Sequence, residues 1–149
     1  MENIGIMSKK FILEEPAIAY NILDDKDAYS LIYAIKKGIK YTFFEQLSKL
    51  GPFTSRDWSG FLHLSERSMQ RYKKDGGIFG TVSSEKIVEI TMLYKYGVSV
   101  FGEKQKFDSW LNIKNVALGG IKPKELLDTS FGIGLIKDEL SNIEYGVLA

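Results

Sequence analysis

This chain of 149 residues has no cysteine and one histidine, and it contains no long apolar run. Without cysteine it can form no disulfide, no thiolate zinc site and no cysteine nucleophile. The single histidine, His63, belongs to no recognisable Ser–His–Asp set, and neither a metal-ligand cluster nor a phosphate-binding loop is visible. We therefore expect a protein that is not an enzyme and that binds no metal or cofactor.

No apolar segment approaches the roughly 18 residues that a transmembrane helix requires, so we expect no membrane association. The first residues lack the apolar core and the small-residue cleavage site of a signal peptide, which makes a cytoplasmic protein the expectation. Three prolines and the lack of low-complexity sequence argue against extensive disorder. The hydrophobic content of 44% is typical of a globular domain.

The net charge of +1 is unevenly distributed along the chain. Residues 1–27 carry three Lys against six acids, and residues 76–149 carry eight Lys against nine acids. Residues 28–75 carry nine Lys and Arg against four acids, which gives this central segment a net charge of +5. Such an asymmetry is an indication of a polyanionic partner.

Apolar residues recur at helical rather than strand spacing, which predicts an all-α fold of about seven helices. Residues 1–24 are ambiguous because Pro16 interrupts them, and we treat them as an N-terminal extension. The glycine-rich loop at 76–80 is the best candidate for a boundary between a domain at 25–80 and a domain at 81–149.

Within the basic segment, residues 54–75 predict two short helices joined by the tight connection "LHLS". Thr54 and Asp57 have the spacing of a capping box, and Ser65 is suited to the N-cap of the second helix. Two helices of this size and spacing predict a helix-turn-helix, whose second helix enters the major groove of DNA. His63 stands in the connection, where glycine is the usual residue.

In this motif the second helix would direct its polar side chains at DNA, with Met69 and Tyr72 facing the core. Arg suits the edge of guanine, Gln suits adenine, and lysines at the far end suit phosphate. The alternative is a solvated charged face on an ordinary core helix, and the segment by itself leaves both open. The predicted DNA-binding residues are Ser65, Arg67, Ser68, Gln70, Arg71 and Lys74.

The next predicted helix, at 84–101, is apolar around much of its circumference and has Ser83 or Ser84 as its predicted cap. A helix that is apolar on several faces is central to the core or part of a subunit interface, and we expect this one to supply both. Further on, "PKELLDTSFG" predicts a short helix that Pro123 begins and Gly132 ends.

The loop before Pro123 is expected to make tight turns at Asn115, Gly119 and Gly120, which tolerate positive φ. "LIKDELSNIEYG" then predicts a last helix that folds back and ends at Gly146.

The second half of the chain carries, in order, Phe–Gly, Trp–Leu, Asn, "LGG", Pro, "ELL", "T..G" and a helix that ends "L..IE.G". This pattern resembles the toxin-binding domain of Xre/MbcA/ParS-type antitoxins, and residues 28–100 resemble the Xre-type helix-turn-helix of the same proteins. The residues that carry the pattern are Phe101, Gly102, Trp110, Leu111, Asn115, Leu118, Gly119, Gly120, Pro123, Glu125, Leu126, Leu127, Thr129, Gly132, Leu140, Ile143, Glu144 and Gly146.

The resemblance implies an Xre-like helix-turn-helix domain followed by a small helical toxin-binding domain. It further implies a homodimeric antitoxin that covers the active site of a cognate RES-domain toxin, which degrades NAD⁺, and that represses its own operon by binding operator DNA. An ADP-ribosylating toxin of the ParT type and a free-standing helix-turn-helix transcription factor are the alternatives.

The toxin contact implied by the resemblance lies at the C-terminal end of the chain. Glu144 and the Ala149 carboxylate would pair with cations that bind the phosphates of NAD⁺, while Val147 and Leu148 would fill apolar walls. The alternative for this tail is a frayed terminus. The implied toxin-binding residues are Leu140, Ile143, Glu144, Tyr145, Gly146, Val147, Leu148 and Ala149.

Overall fold

The computed structural model describes residues 28–146, which form seven α-helices and two short 3-10 helices, with no strand among them. The all-α prediction is therefore confirmed, while the predicted extension at 1–24 lies outside the described residues. The helices are α1 (Ala28–Lys37), α2 (Tyr41–Ser48), α3 (Ser55–Leu62), α4 (Glu66–Asp75), α5 (Thr81–Phe101), α6 (Lys104–Leu111) and α7 (Ser130–Glu144), and the 3-10 helices are Val116–Leu118 and Pro123–Leu126.

The α3–α4 pair begins and ends where its caps predict. Thr54 Oγ1 accepts a hydrogen bond of 3.0 Å from the amide of Asp57, and Asp57 Oδ2 accepts one of 3.0 Å from the amide of Thr54. This capping box is the predicted one, and Ser65 is the N-cap of α4 as predicted. His63 ends α3 at φ 54°, so it occupies the left-handed conformation that glycine usually takes.

The inner face of α4 packs on the aromatic core of the first half. Met69 is buried, and the ring of Tyr72 stacks on Phe79 with 4.7 Å between centroids. Phe79 in turn meets Phe44 edge to face, with 5.2 Å between centroids. The predicted inward side of α4 is therefore confirmed, and its polar side faces outward.

Helix α5 forms the centre of the molecule, as its sequence predicts, with Ile87, Ile90 and Leu93 buried along it. It packs against α1, α3, α6 and α7, so the two halves of the chain share one hydrophobic core. This packing accounts for the apolar character of the helix. The dimer interface and the domain boundary near residue 80 remain predictions.

The predicted cap of α5 is wrong, because the helix begins at Thr81 and its N-cap is Gly80. Ser84 instead lies fully buried inside the helix. Its hydroxyl oxygen accepts a hydrogen bond of 2.9 Å from the amide of Ile39 and donates one of 3.2 Å to the carbonyl of Phe79. The hydroxyl thus satisfies two buried backbone groups of other segments, a use that local capping rules cannot reveal.

The loop after α6 makes two of the three predicted positive-φ turns. Gly119 and Gly120 have φ values of 83° and 78°. Asn115, however, has an extended φ of −117°, and its side chain accepts a hydrogen bond of 2.9 Å from the amide of Ala117. The asparagine therefore caps the first 3-10 helix and does not supply a left-handed turn.

The predicted boundary at Gly132 is also wrong. Pro123 does begin a short helix, but that helix is a single 3-10 segment that ends at Leu126. Thr129 then caps α7, whose first turn contains Gly132, and Thr129 Oγ1 accepts a hydrogen bond of 2.9 Å from the Gly132 amide. The last helix therefore starts five residues earlier than "LIKDELSNIEYG" predicts.

Candidate functional site

The C-terminal end of α7 places the predicted toxin-binding residues in different environments. Leu140 has no exposed surface and packs in the hydrophobic core, because it lies on the α7 face that also buries Ile133 and Ile136. The side chain of Leu140 cannot contact a partner from this position. In this structure Leu140 therefore supports the packing of α7, and its predicted contact with the toxin remains a prediction.

The residues after Leu140 turn outward. Ile143 is 39% exposed and Tyr145 is 75% exposed, and Glu144 is exposed as well. Gly146, with φ 68°, ends the helix, and its amide donates to the Ile143 carbonyl at 3.2 Å. The other three predicted contact residues, Val147, Leu148 and Ala149, lie outside the described residues.

Tyr96 on α5 orients the carboxylate of Glu144. The Tyr96 hydroxyl donates a short hydrogen bond to Glu144 Oε2. This hydrogen bond, with burial and the negative charge of Glu144, raises the pKa of Tyr96 to about 12. Sequence reasoning missed Tyr96, because the residues are 48 positions apart and no local pattern connects them.

Exposed large hydrophobic side chains are frequent in the second half of the described chain. Phe131 is 82% exposed and Leu135 is 43% exposed, both on α7. Sequence reasoning missed this pair because it placed Phe131 in a separate short helix. The other exposed large hydrophobic residues after α6 are Ile113, Val116, Ile121, Ile143 and Tyr145.

The predicted DNA-binding residues lie on the outer side of α4. Arg67, Gln70, Arg71 and Lys74 are all exposed. Ser65 and Ser68 form the start of the helix, where Ser65 Oγ accepts a hydrogen bond of 3.0 Å from the amide of Ser68. These two serines therefore have a capping role whether or not DNA is bound.

Two polar contacts join the α3–α4 pair to the segment that precedes α7. Lys124 Nζ lies 3.5 Å from Asp57 Oδ1, and His63 Nε2 lies 2.7 Å from the backbone oxygen of Asp128. The His63 ring therefore bridges the connection between α3 and α4 to the N-terminal end of α7. These contacts connect the α3–α4 pair, which includes the outer face of α4, to the start of α7.

Within residues 28–146 no group of three or more acidic or histidine side chains is placed to hold a metal ion. The described helices include none that is long and apolar enough to cross a membrane.

Two comparisons with known proteins indicate the class of this chain. Residues 97–146, from the last turn of α5 to the end of α7, match the model of the antitoxin Xre/MbcA/ParS C-terminal toxin-binding domain. The chain is also 26% identical, over 143 aligned residues, to the Prs ADP-ribosylating antitoxin of Sphingobium sp. (strain YBL2), with 90% of each chain covered. The two comparisons support an antitoxin of the Xre/MbcA/ParS type, and the matched toxin-binding domain implies a toxin as partner.

Proposed function

We propose that this antitoxin neutralises its cognate toxin by covering the toxin's active site with the C-terminal end of α7 and the residues that follow. The observation that carries the proposal is the outward-facing group Ile143, Glu144 and Tyr145, which lies inside the matched toxin-binding domain, apart from the core. An apolar side chain beside an oriented carboxylate suits a pocket with apolar walls and cations.

The toxin in this proposal is a RES-type protein that degrades NAD⁺. The alternative is an ADP-ribosylating toxin, and the Sphingobium relative is named an ADP-ribosylating antitoxin. Both chemistries start from NAD⁺ and need cations around its phosphates, so the Glu144 carboxylate suits either active site. Cellular NAD⁺ content separates the two, because only the degrading enzyme would exhaust the pool.

The proposal is tested by expressing the product of the neighbouring gene alone, with the full chain, and with a chain that ends at Tyr145. We expect growth arrest and loss of NAD⁺ in the first arm, rescue in the second, and rescue reduced at least tenfold in viable counts in the third. The physical reason is that the shortened chain keeps the folded core but loses the segment that enters the active site.

Each other outcome changes the proposal in a defined way. Rescue by both chains would place inhibition on the helical surface, and arrest with unchanged NAD⁺ would favour the ADP-ribosylating partner. A neighbouring product that is harmless when expressed alone would leave the free-standing transcription factor as the remaining hypothesis.

We also propose that the α3–α4 pair binds operator DNA as a helix-turn-helix and represses the operon, in a complex that contains antitoxin dimers. The outward, basic face of α4 supports this proposal, because Arg67, Gln70, Arg71 and Lys74 are all exposed on it. A positively charged helix face with Arg and Gln near its start suits a major groove.

Arg71→Ala is expected to weaken operator binding without affecting neutralisation. Loss of one Arg contact to a base costs about 1 to 3 kcal/mol, so we expect the dissociation constant to rise roughly 5- to 150-fold. Titration of labelled operon promoter DNA measures the change, with Lys106→Ala, an exposed cation on α6, as the control. Loss of neutralisation by folded Arg71→Ala protein would contradict the proposed separation of roles.

A further inference from the structure

An exposed ridge runs along the length of α7. Residues four apart form a ridge on the surface of an α-helix, and Phe131, Leu135, Glu139 and Ile143 are such a row. Its three apolar members are 82%, 43% and 39% exposed, in order along the helix. We call this row the α7 ridge. It spans about 18 Å at 1.5 Å per residue and ends at the proposed contact group.

The charged α7 side chains that lie in or beside the α7 ridge are acidic. Asp138 is exposed three positions after Leu135, and therefore on the same side of the helix. Glu139 lies within the ridge, whereas Lys137 is two positions from Leu135 and points to a different side. The ridge is therefore apolar at Phe131 and Leu135 and acidic beside them.

The end of α7 is too small to form a stable complex by itself. Specific protein interfaces bury about 800 Å² on each partner and use roughly 20 to 30 residues a side. The proposed contact group and the few residues after it fall far short of that size. The interface must continue onto neighbouring surface, and the α7 ridge is continuous with the contact group and lies inside the matched toxin-binding domain.

We propose that the α7 ridge docks in an apolar groove of the toxin that is bordered by Lys or Arg, so that the toxin grips the whole helix. This inference rests on the proposed function and extends it, because it assigns binding energy to Phe131 and Leu135 at the opposite end of α7 from the tail. The occupant is the toxin, because the ridge lies inside the matched toxin-binding domain and is continuous with the proposed contact group. An amphipathic helix in a groove is a recurring mode of recognition.

The test compares full-length antitoxins with Phe131→Glu or Tyr29→Glu. The two aromatic residues are matched in exposure, at 82% and 85%, and Tyr29 lies on α1, outside the toxin-binding domain. Immobilised toxin, produced from the neighbouring gene, captures each variant, and the dissociation constant is measured by interferometry. The chain that ends at Tyr145 is measured alongside, and the mass of each antitoxin alone is measured by light scattering.

We expect Phe131→Glu to weaken toxin binding at least about 30-fold, as for an aromatic residue buried in an interface, and Tyr29→Glu to leave it within about twofold. Unchanged binding of Phe131→Glu, together with weak binding of the shortened chain, would overturn the proposal that the α7 ridge contacts the toxin. The tail would then remain as the proposed contact. Failure of the unaltered chain to bind would reject the proposed function itself.

Two further results decide between possible occupants and exclude misfolding. A smaller mass of Phe131→Glu alone would make the ridge a contact between two antitoxin copies and would overturn the proposal. Leu135→Lys provides a second variant on the ridge, and we expect it to weaken binding as Phe131→Glu does while unfolding at the same urea concentration as the unaltered chain. Unweakened toxin binding by Leu135→Lys would contradict the proposal that the α7 ridge docks on the toxin.

Discussion

Gly132→Ala is expected to lower the free energy of unfolding by about 3 kcal/mol or more. A Cβ atom at this position would lie 2.1 Å from the carbonyl oxygen of Leu126 and 3.0 Å from Thr129 Oγ1. The first of these neighbours is backbone, so relief requires α7 to move away from the 3-10 helix that supports it. Overpacking in a core costs about 1 to 3 kcal/mol and more where backbone must shift.

The same helix provides the control, because a Cβ at Gly134 would meet nothing within 4 Å. Gly134→Ala should raise stability by about 0.5 to 1 kcal/mol, since glycine inside a helix is less favourable than alanine. Urea unfolding followed by circular dichroism measures both variants. Equal stability of the two would show that α7 can shift freely on the segment before it, contrary to the close approach at Leu126.

Leu140→Ala is expected to destabilise the protein by about 2 to 5 kcal/mol, the range for removing a large side chain from a packed core. Leu140 has no exposed surface, so its loss leaves a cavity between α7 and the core. Ile143→Ala, one turn further on and 39% exposed, should cost less than about 1 kcal/mol while weakening toxin binding at least tenfold.

Comparing Leu140→Ala with Ile143→Ala distinguishes a residue that stabilises the fold from a residue that contacts the toxin. Urea unfolding reports stability, and toxin binding is measured well below the unfolding transition, where the remaining folded Leu140→Ala protein should still bind. Loss of toxin affinity in folded Leu140→Ala protein, with no loss of stability, would show that Leu140 meets the toxin in a rearranged α7. The present packing would then describe only the free antitoxin.

Gly132→Ala acts beside the segment that connects the two proposed surfaces. The region before α7 contacts the α3–α4 pair through Lys124 and Asp57 and through His63 and the Asp128 carbonyl. A change that displaces the start of α7 therefore also disturbs the connection that leads into α4. Stability must be measured with every functional test for this reason.

The sequence by itself determined the features that depend on near neighbours. Helical periodicity predicted an all-α fold, and the caps at Thr54 and Ser65 were correct, because a capping residue and its partner lie three positions apart. The inward side of α4 and the central place of α5 followed from apolar spacing. The spaced pattern of the second half was enough to indicate the antitoxin family.

Only the tertiary structure decided which side chains near the C-terminal end are available. Leu140 and Ile143 share an apolar stripe in the sequence, but packing buries the first and leaves the second exposed. Gly132 and Ser84 were assigned to helix ends because such residues usually terminate helices. Gly132 instead lies against the Leu126 carbonyl, and Ser84 accepts a hydrogen bond from the distant Ile39 amide. Periodicity indicates which residues share a face, but the neighbours that cover that face come from remote parts of the chain.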